Sequence, residues 1–137
     1  MCPERFQVLD EFDGAAVFDK ETGLVWEKTP DTTARNWSGA NFHCNREVTV
    51  GSRFGWRLPT VEELASLVDR SQSNPTLPAG QPFDVQSRTY WSATTNANNN
   101  NSAWRVSFFN GLVTRGNKTS MNVFVWCVRG GQGITNQ

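Results

Sequence analysis

The sequence predicts an α+β fold, rich in loops, with two short helices flanking short antiparallel sheets. Three observations carry this reading. Nine phenylalanines and six tryptophans stand against one tyrosine, an aromatic weighting that fills cores built largely from strands. Leucine and isoleucine are sparse while glycine, asparagine, serine and threonine are frequent, which favours turns and strands over a helix bundle. Two stretches carry helix-start chemistry, and around them runs of strand-forming residues alternate with turn residues. A length of 137 residues suits one domain, spanning 1–137, large enough to bury a core.

Charge narrows the function classes. Thirteen basic residues balance thirteen acidic ones, so no broad electrostatic footprint for nucleic acid or an anionic membrane is expected. No apolar run approaches the roughly 18 residues of a spanning helix, and no direct membrane insertion is expected. Met1, Cys2 and Pro3 lead into no apolar segment of a secretory leader, so the start reads as the boundary of a domain belonging to a longer protein.

In chain order, residues 5–9 and 15–18 read as strands, and a turn cluster at 19–23 leads into a third at 24–27, forming a hairpin. Asp10, Glu11, Asp13, Asp19 and Glu21 lack EF-hand spacing and read as solvated turn residues. Residues 36–46 read as a helix with Asn36 as N-cap, because Trp37, Ala40 and Cys44 share one face. His43 lies about 100° around that helix from Cys44, toward solvent or the rim.

Thr60 and Glu63 form the capping box of a second helix, whose buried stripe is Leu64, Leu67 and Val68 and which ends near Arg70. Glu62 and Glu63 are adjacent on that helix and point apart, so they do not form a hydrolytic carboxylate pair. Residues 71–89 are a long loop that Leu77 and Phe83 would pin to the core. Strands follow at 90–94 and 103–109, separated by an asparagine-rich loop at 96–101. Asn110-Gly111 signals a hairpin into residues 112–114. After a loop at 115–122, residues 123–128 form a last strand that is apolar on both faces and therefore central.

The chemistry-bearing residues are few. Cys2, Cys44 and Cys127 form no CxxC pair, so neither a zinc site nor any other metal or cofactor is expected. A Cys44–Cys127 bridge would be worth about 4.5 kcal/mol in the chain-entropy view and needs an oxidising compartment. Two buried free thiols fit the spacing equally well. Cys2 is left as a free thiol, an intermolecular link or a lipid-modified first residue. No nucleophile–base order, phosphate loop, dinucleotide fingerprint or HExxH helix is present, and no catalytic residue is assigned.

Six pieces, in order, carry a resemblance over roughly residues 5–131: DGAAVFDKETGLVWEK, the helix with Ala40 and Cys44, GWRLPTVEELASL, YWSATT, AWRVSF and WCVRGG. Together they resemble the bacterial Lcl C-terminal domain family, named for the end domain of a collagen-like adhesin and long described as a domain of unknown function. The resemblance implies a C-type lectin-like fold, distantly related to the formylglycine-generating enzymes. It also implies a disulfide between the first helix and the final strand, here Cys44 with Cys127. The related oxidase uses a pair of reactive cysteines holding copper, and Cys127 is the sole cysteine of the C-terminal half, so that pair is missing. Calcium-dependent lectins use a Glu-Pro-Asn loop and a Trp-Asn-Asp triplet; both are absent, and Trp104 is followed by Arg105 and Val106.

The reading that results is a non-catalytic recognition module, extracellular or at the cell surface, part of a secreted or anchored bacterial protein. It would bind a glycan or a protein through the loops of residues 96–122. The candidate ligand residues are Asn98, Asn99, Asn100, Asn101, Arg105, Ser107, Phe109, Asn110, Leu112, Thr114, Arg115, Asn117, Lys118, Ser120 and Asn122. Asparagine, serine and threonine offer adaptable hydrogen bonding above an aromatic floor. The association of the adhesin's own end domain with sulfated glycosaminoglycans, carried over by resemblance, would fall on Arg105, Arg115 and Lys118, strengthened if a homo-oligomer repeats them. An alternative takes the scattered asparagines as the variable positions of a diversity-generating retroelement target, with Ser107, Phe109, Leu112, Thr114, Arg115, Ser120 and Met121 as outcomes of variation. It requires an adenine-rich repeat and a reverse transcriptase beside the gene.

Overall fold

A computed structural model describes residues 4–130. Cys2 lies outside the described residues. The first strands are β1, Phe6–Val8, β2, Ala16–Asp19, and β3, Leu24–Glu27. Next comes helix α1, Trp37–Phe42, which runs into one wide π turn, His43–Glu47. Strand β4, Trp56–Arg57, and helix α2, Val61–Ala65, precede the long strands β5, Thr89–Asn96, and β6, Asn99–Ser107. Strands β7, Val113–Asn117, and β8, Val128–Gly130, complete the chain order.

Two antiparallel sheets result. One runs β1-β2-β3-β8-β4, so β8 sits between β3 and β4, and the other is the meander β5-β6-β7. The architecture is the mixed α+β arrangement that the residue pattern predicts.

The apolar stretch at 123–128 is central, but only its end is a regular strand. Val123 and Phe124 instead bridge singly to Arg35 and Tyr90, and the β8 ladder begins at Val128. Its period-two alternation nonetheless divides the interior. Val123, Val125 and Cys127 face a core with Ala40, Cys44 and Trp91, whereas Phe124, Trp126 and Val128 face a second core with Leu64, Leu67 and Tyr90. Trp126 is the hub of that second core, its ring centroid 5.2 Å from Trp26, 5.0 Å from Phe83, 5.8 Å from Tyr90 and 5.5 Å from Phe108. Leu77 and Phe83 are buried and pin the long loop as expected.

The helices are shorter than their apolar spacing suggests. Asn36 caps α1 by accepting the Gly39 amide at 2.8 Å, and the π turn takes over where the α pattern would continue. The Thr60–Glu63 capping box is present, and Glu63 also receives both Arg57 guanidinium nitrogens at 2.7 and 2.8 Å. Arg57 in turn donates to the Gly130 carbonyl, tying the start of α2 to the end of β8.

Cys44 and Cys127 are joined by a disulfide, with Cα atoms 5.5 Å apart across 83 residues of sequence. Asp19 departs from the solvated-turn reading. It is fully buried, and Arg5 grips both its oxygens at 2.8 Å. Burial pushes the Asp19 carboxyl up, but the Arg5 hydrogen bond and the Glu21 amide outweigh it and hold the group below its ordinary range.

The division between floor and surface has a measurable consequence. Trp126→Ala is expected to destabilise the domain by about 3–5 kcal/mol, whereas Phe109→Ala, at an exposed ring, stays within about 0.5 kcal/mol of the parent. Urea midpoints of the two variants check the contrast.

Candidate functional site

The candidate ligand residues fall on the β6–β7 hairpin, its two turns and the loop to Asn122. Asn98, Asn99, Asn100, Asn101, Phe109, Asn110, Leu112, Thr114, Arg115, Asn117 and Asn122 are exposed. Arg105, Ser107, Lys118 and Ser120 are half-buried. The asparagine-rich stretch is not the loose loop expected at 96–101. Asn96 pairs with Asn99 across a two-residue turn at Ala97 and Asn98, and 99–101 already belong to β6. At the other end, Asn110-Gly111 sits in a wider turn than the two-residue signal implies, with Gly111 at φ +81° and its amide donating to the Ser107 carbonyl. The extra residues tuck Phe108 fully into the core and leave Phe109 outside.

Several asparagines work locally. Asn96, Asn99, Asn110 and Asn117 each accept a backbone amide two residues on, at 2.9 to 3.1 Å, and so close Asx turns with their side-chain oxygens. Their amide nitrogens make no side-chain hydrogen bond among the described residues.

Strand alternation sorts the three candidate cations. Arg115 pairs with Trp104, and its guanidinium carbon lies 5.6 Å from that ring centroid. Arg105 pairs with Thr114 and Trp91 on the opposite face, its guanidinium carbon 5.9 Å from Trp91. It lies across Gly116, where a Cβ would collide with it, and its Nε is buried without a partner. Lys118 Nζ sits 4.0 Å from the Trp37 centroid and donates to Thr95 Oγ1 at 3.0 Å. The ion pairs of the described residues engage Arg5, Lys28, Arg35, His43 and Arg57, and none of these three. The supposed basic cluster is therefore two sites on two faces: Arg115 with Trp104, and Arg105 with Lys118. A cleft of about 260 Å³ adjoins the hairpin tip, lined by Ala65, Val68, Arg70, Gly111 and Val113.

A second constellation lies inside the molecule, and sequence reasoning missed it. One oxygen of Glu27, one ring nitrogen of His43 and the Cys127 sulfur lie within 4.8 Å of one another. Of the two positions expected for His43, solvent side or rim, the structure gives the rim: its side chain is only 12% exposed, and Nδ1 meets Glu47 Oε1 at 2.8 Å. The π turn is the reason, since its wider winding, closed by Val48 N–H to the His43 carbonyl, rotates the ring inward relative to an α-helix. Glu27 accepts the Cys127 amide at 2.7 Å and is 4% exposed. Burial pushes its carboxyl up to about 7; the Cys127 hydrogen bond and Arg35 oppose that rise and Asp31 adds to it. Only the adjacency of His43 and Cys44 hinted at this cluster in the sequence; Glu27 arrives from a strand far away in the chain.

The direction of the Glu27 shift sets a pH dependence. An acid raised from its unfolded value of 4.5 to about 7 keeps its proton in the folded chain after the unfolded chain has lost it. Its contribution to stability is therefore complete below pH 4.5 and is lost as pH rises toward 7, by up to about 3 kcal/mol. Asp19 and Glu63, held below their ordinary ranges, act at lower pH and leave this window to Glu27. Urea midpoints measured from pH 4.5 to 8 should fall with rising pH in the parent, and Glu27→Gln should remove that part of the slope. An identical slope in the variant would remove Glu27 from the explanation.

The Lcl C-terminal domain family model matches residues 15–129. No curated protein and no solved structure matches the chain. The match covers the hairpins, both helices, the disulfide pair and all of the candidate surface as far as Asn122. The chain belongs to the Lcl C-terminal domain family.

Proposed function

We propose that this domain is a non-catalytic recognition module, C-type lectin-like, displayed outside the cell or at its surface, and that it binds anionic, sulfated glycan through the β6–β7 hairpin. The observation that carries this reading is the pair of cationic sites on the two faces of the hairpin and the loop after it, Arg115 on one and Arg105 with Lys118 on the other. Each cation stands against a tryptophan, and none is neutralised by a carboxylate among the described residues. Sulfate groups take charge-assisted hydrogen bonds from arginine and lysine, and at Arg115 and Lys118 the half-buried rings of Trp104 and Trp37 offer the sugar face an apolar surface beside the cation; Trp91, beside Arg105, is fully buried. The unspent amide nitrogens of the Asx-turn asparagines add donors suited to hydroxyl and sulfate oxygens.

Other features support the placement. A buried disulfide persists in an oxidising compartment. No described helix is long and apolar enough to cross a membrane. With so few cations per chain, useful affinity would come from repetition in a homo-oligomer, where effective concentration replaces contact area. Because Cys127 is held in the disulfide, a reactive thiol of the kind the related oxidase uses is not free here.

Retention on immobilised sulfated polysaccharide tests the reading. The parent should bind and should elute with rising salt. Arg115→Ala and Lys118→Ala should each weaken binding about tenfold, the roughly 1.5 kcal/mol of a charge-assisted hydrogen bond. Failure to bind any glycan on an array that includes sulfated chains would reject the glycan and leave a protein ligand.

A further inference from the structure

We propose that Glu27, His43, Cys44 and Cys127 form a latent zinc site, closed to metal while the disulfide stands and opened by its reduction. The residues come from three separate parts of the fold: β3, the π turn after α1, and the segment leading into β8. One potential ligand atom from each of Glu27, His43 and Cys127 already falls within 4.8 Å of the others. Ligand atoms around tetrahedral zinc, at about 2.0–2.3 Å from the metal, sit roughly 3.3–3.8 Å apart. Shifts of about 1 Å in side chains would thus close the cluster on an ion. Cys44 would add the fourth ligand only once the bridge is opened: its sulfur is bonded to that of Cys127 but stands outside the 4.8 Å group, so it must swing toward Glu27 and His43 from a Cα 5.5 Å from that of Cys127.

The surroundings match what a metal site needs beyond its ligands. His43 Nδ1 is held by Glu47, leaving the other ring nitrogen free, the arrangement in which a carboxylate orients a ligating histidine. Glu27 is oriented by the Cys127 amide, which takes one oxygen and leaves the second. Two thiolates and an imidazole favour zinc over hard cations.

The redox step balances with a dithiol reductant. A thiolate of the reductant attacks one sulfur of the disulfide, the S–S bond breaks, and a second attack releases the mixed disulfide. Two electrons and two protons pass to the protein, which becomes Cys44 thiol and Cys127 thiol, while the reductant becomes a disulfide. Zinc then displaces one proton from each thiol and binds both sulfurs, neutral His43 and the Glu27 carboxylate.

The test uses the full chain carrying Cys2→Ser, so that no third thiol competes. Oxidised and anaerobically reduced protein are titrated with zinc against a chromogenic chelator, and circular dichroism follows the fold. The expected result is one zinc per reduced chain, none per oxidised chain, and folded dichroism in the zinc-bound reduced form. His43→Ala and Glu27→Gln should each weaken zinc binding at least about tenfold. Cobalt in place of zinc should give thiolate charge-transfer and tetrahedral d–d absorption that His43→Ala alters. Three outcomes overturn the proposal: zinc bound equally by the oxidised chain, no stoichiometric zinc on the reduced chain, or binding that His43→Ala leaves unchanged, as thiols of an unfolded chain would give.

Discussion

Glu27 holds the two ends of this domain together. Its backbone carbonyl accepts the indole of Trp126 at 2.9 Å, its amide donates to the Cys127 carbonyl at 3.3 Å, and its carboxylate accepts the Cys127 amide at 2.7 Å. Three hydrogen bonds across 99 to 100 residues of chain fix where the last segment enters, and the covalent bridge at Cys127 adds to them. A buried amide or indole without a partner costs about 1–3 kcal/mol, so this end of β3 decides more than its exposed neighbours can. The acid is present for its shape as an acceptor, and burial makes its charge a liability rather than an asset.

Once the segment 123–128 is held there, its alternation does the rest. One set of side chains closes on the disulfide and α1, the other on the aromatic cluster around Trp126. The β5-β6-β7 meander sits over both cores through Trp91 on one side and Tyr90 on the other. Its outer strand and turns are thereby relieved of core packing, which is why asparagines, exposed Phe109 and unpaired cations are tolerated there.

What the sequence made legible follows from local physics. Asn36, the Thr60–Glu63 box, the 24–27 strand and the alternation of 123–128 each depend on neighbours within a few residues, and each is found in the structure. The disulfide was legible only through family resemblance, because spacing alone says nothing of which cysteines meet. The asparagine run misled because asparagine reads as loop, yet pairing of Asn99 with Asn96, of Ser102 with Asn117 and of Ala103 with Thr95 and Gly116 draws 99–103 into a ladder. Asp19 misled for a similar reason: its partner Arg5 stands 14 residues away, just before β1, and reaches it only because Phe6 pairs with Asp19. His43 required the π turn, and no residue pattern in 43–47 announces one. Among the candidate ligand residues, exposure was foreseeable, while the separation of Arg105 from Arg115 needed the pairing register.

Gly116 has a consequence for how this surface can change. Its backbone is ordinary, so freedom of φ does not explain it; the Arg105 guanidinium occupies the space a side chain would need. Replacement at 116 must displace that half-buried guanidinium, the flexible end of its side chain, whereas Thr114, Arg115 and Asn117 are exposed. A combinatorial library built on β7 would therefore vary those three sites independently, while each replacement at 116 would also re-aim Arg105 on the neighbouring strand. The strand thus holds three positions whose variation stays local and one whose variation is felt across the ladder.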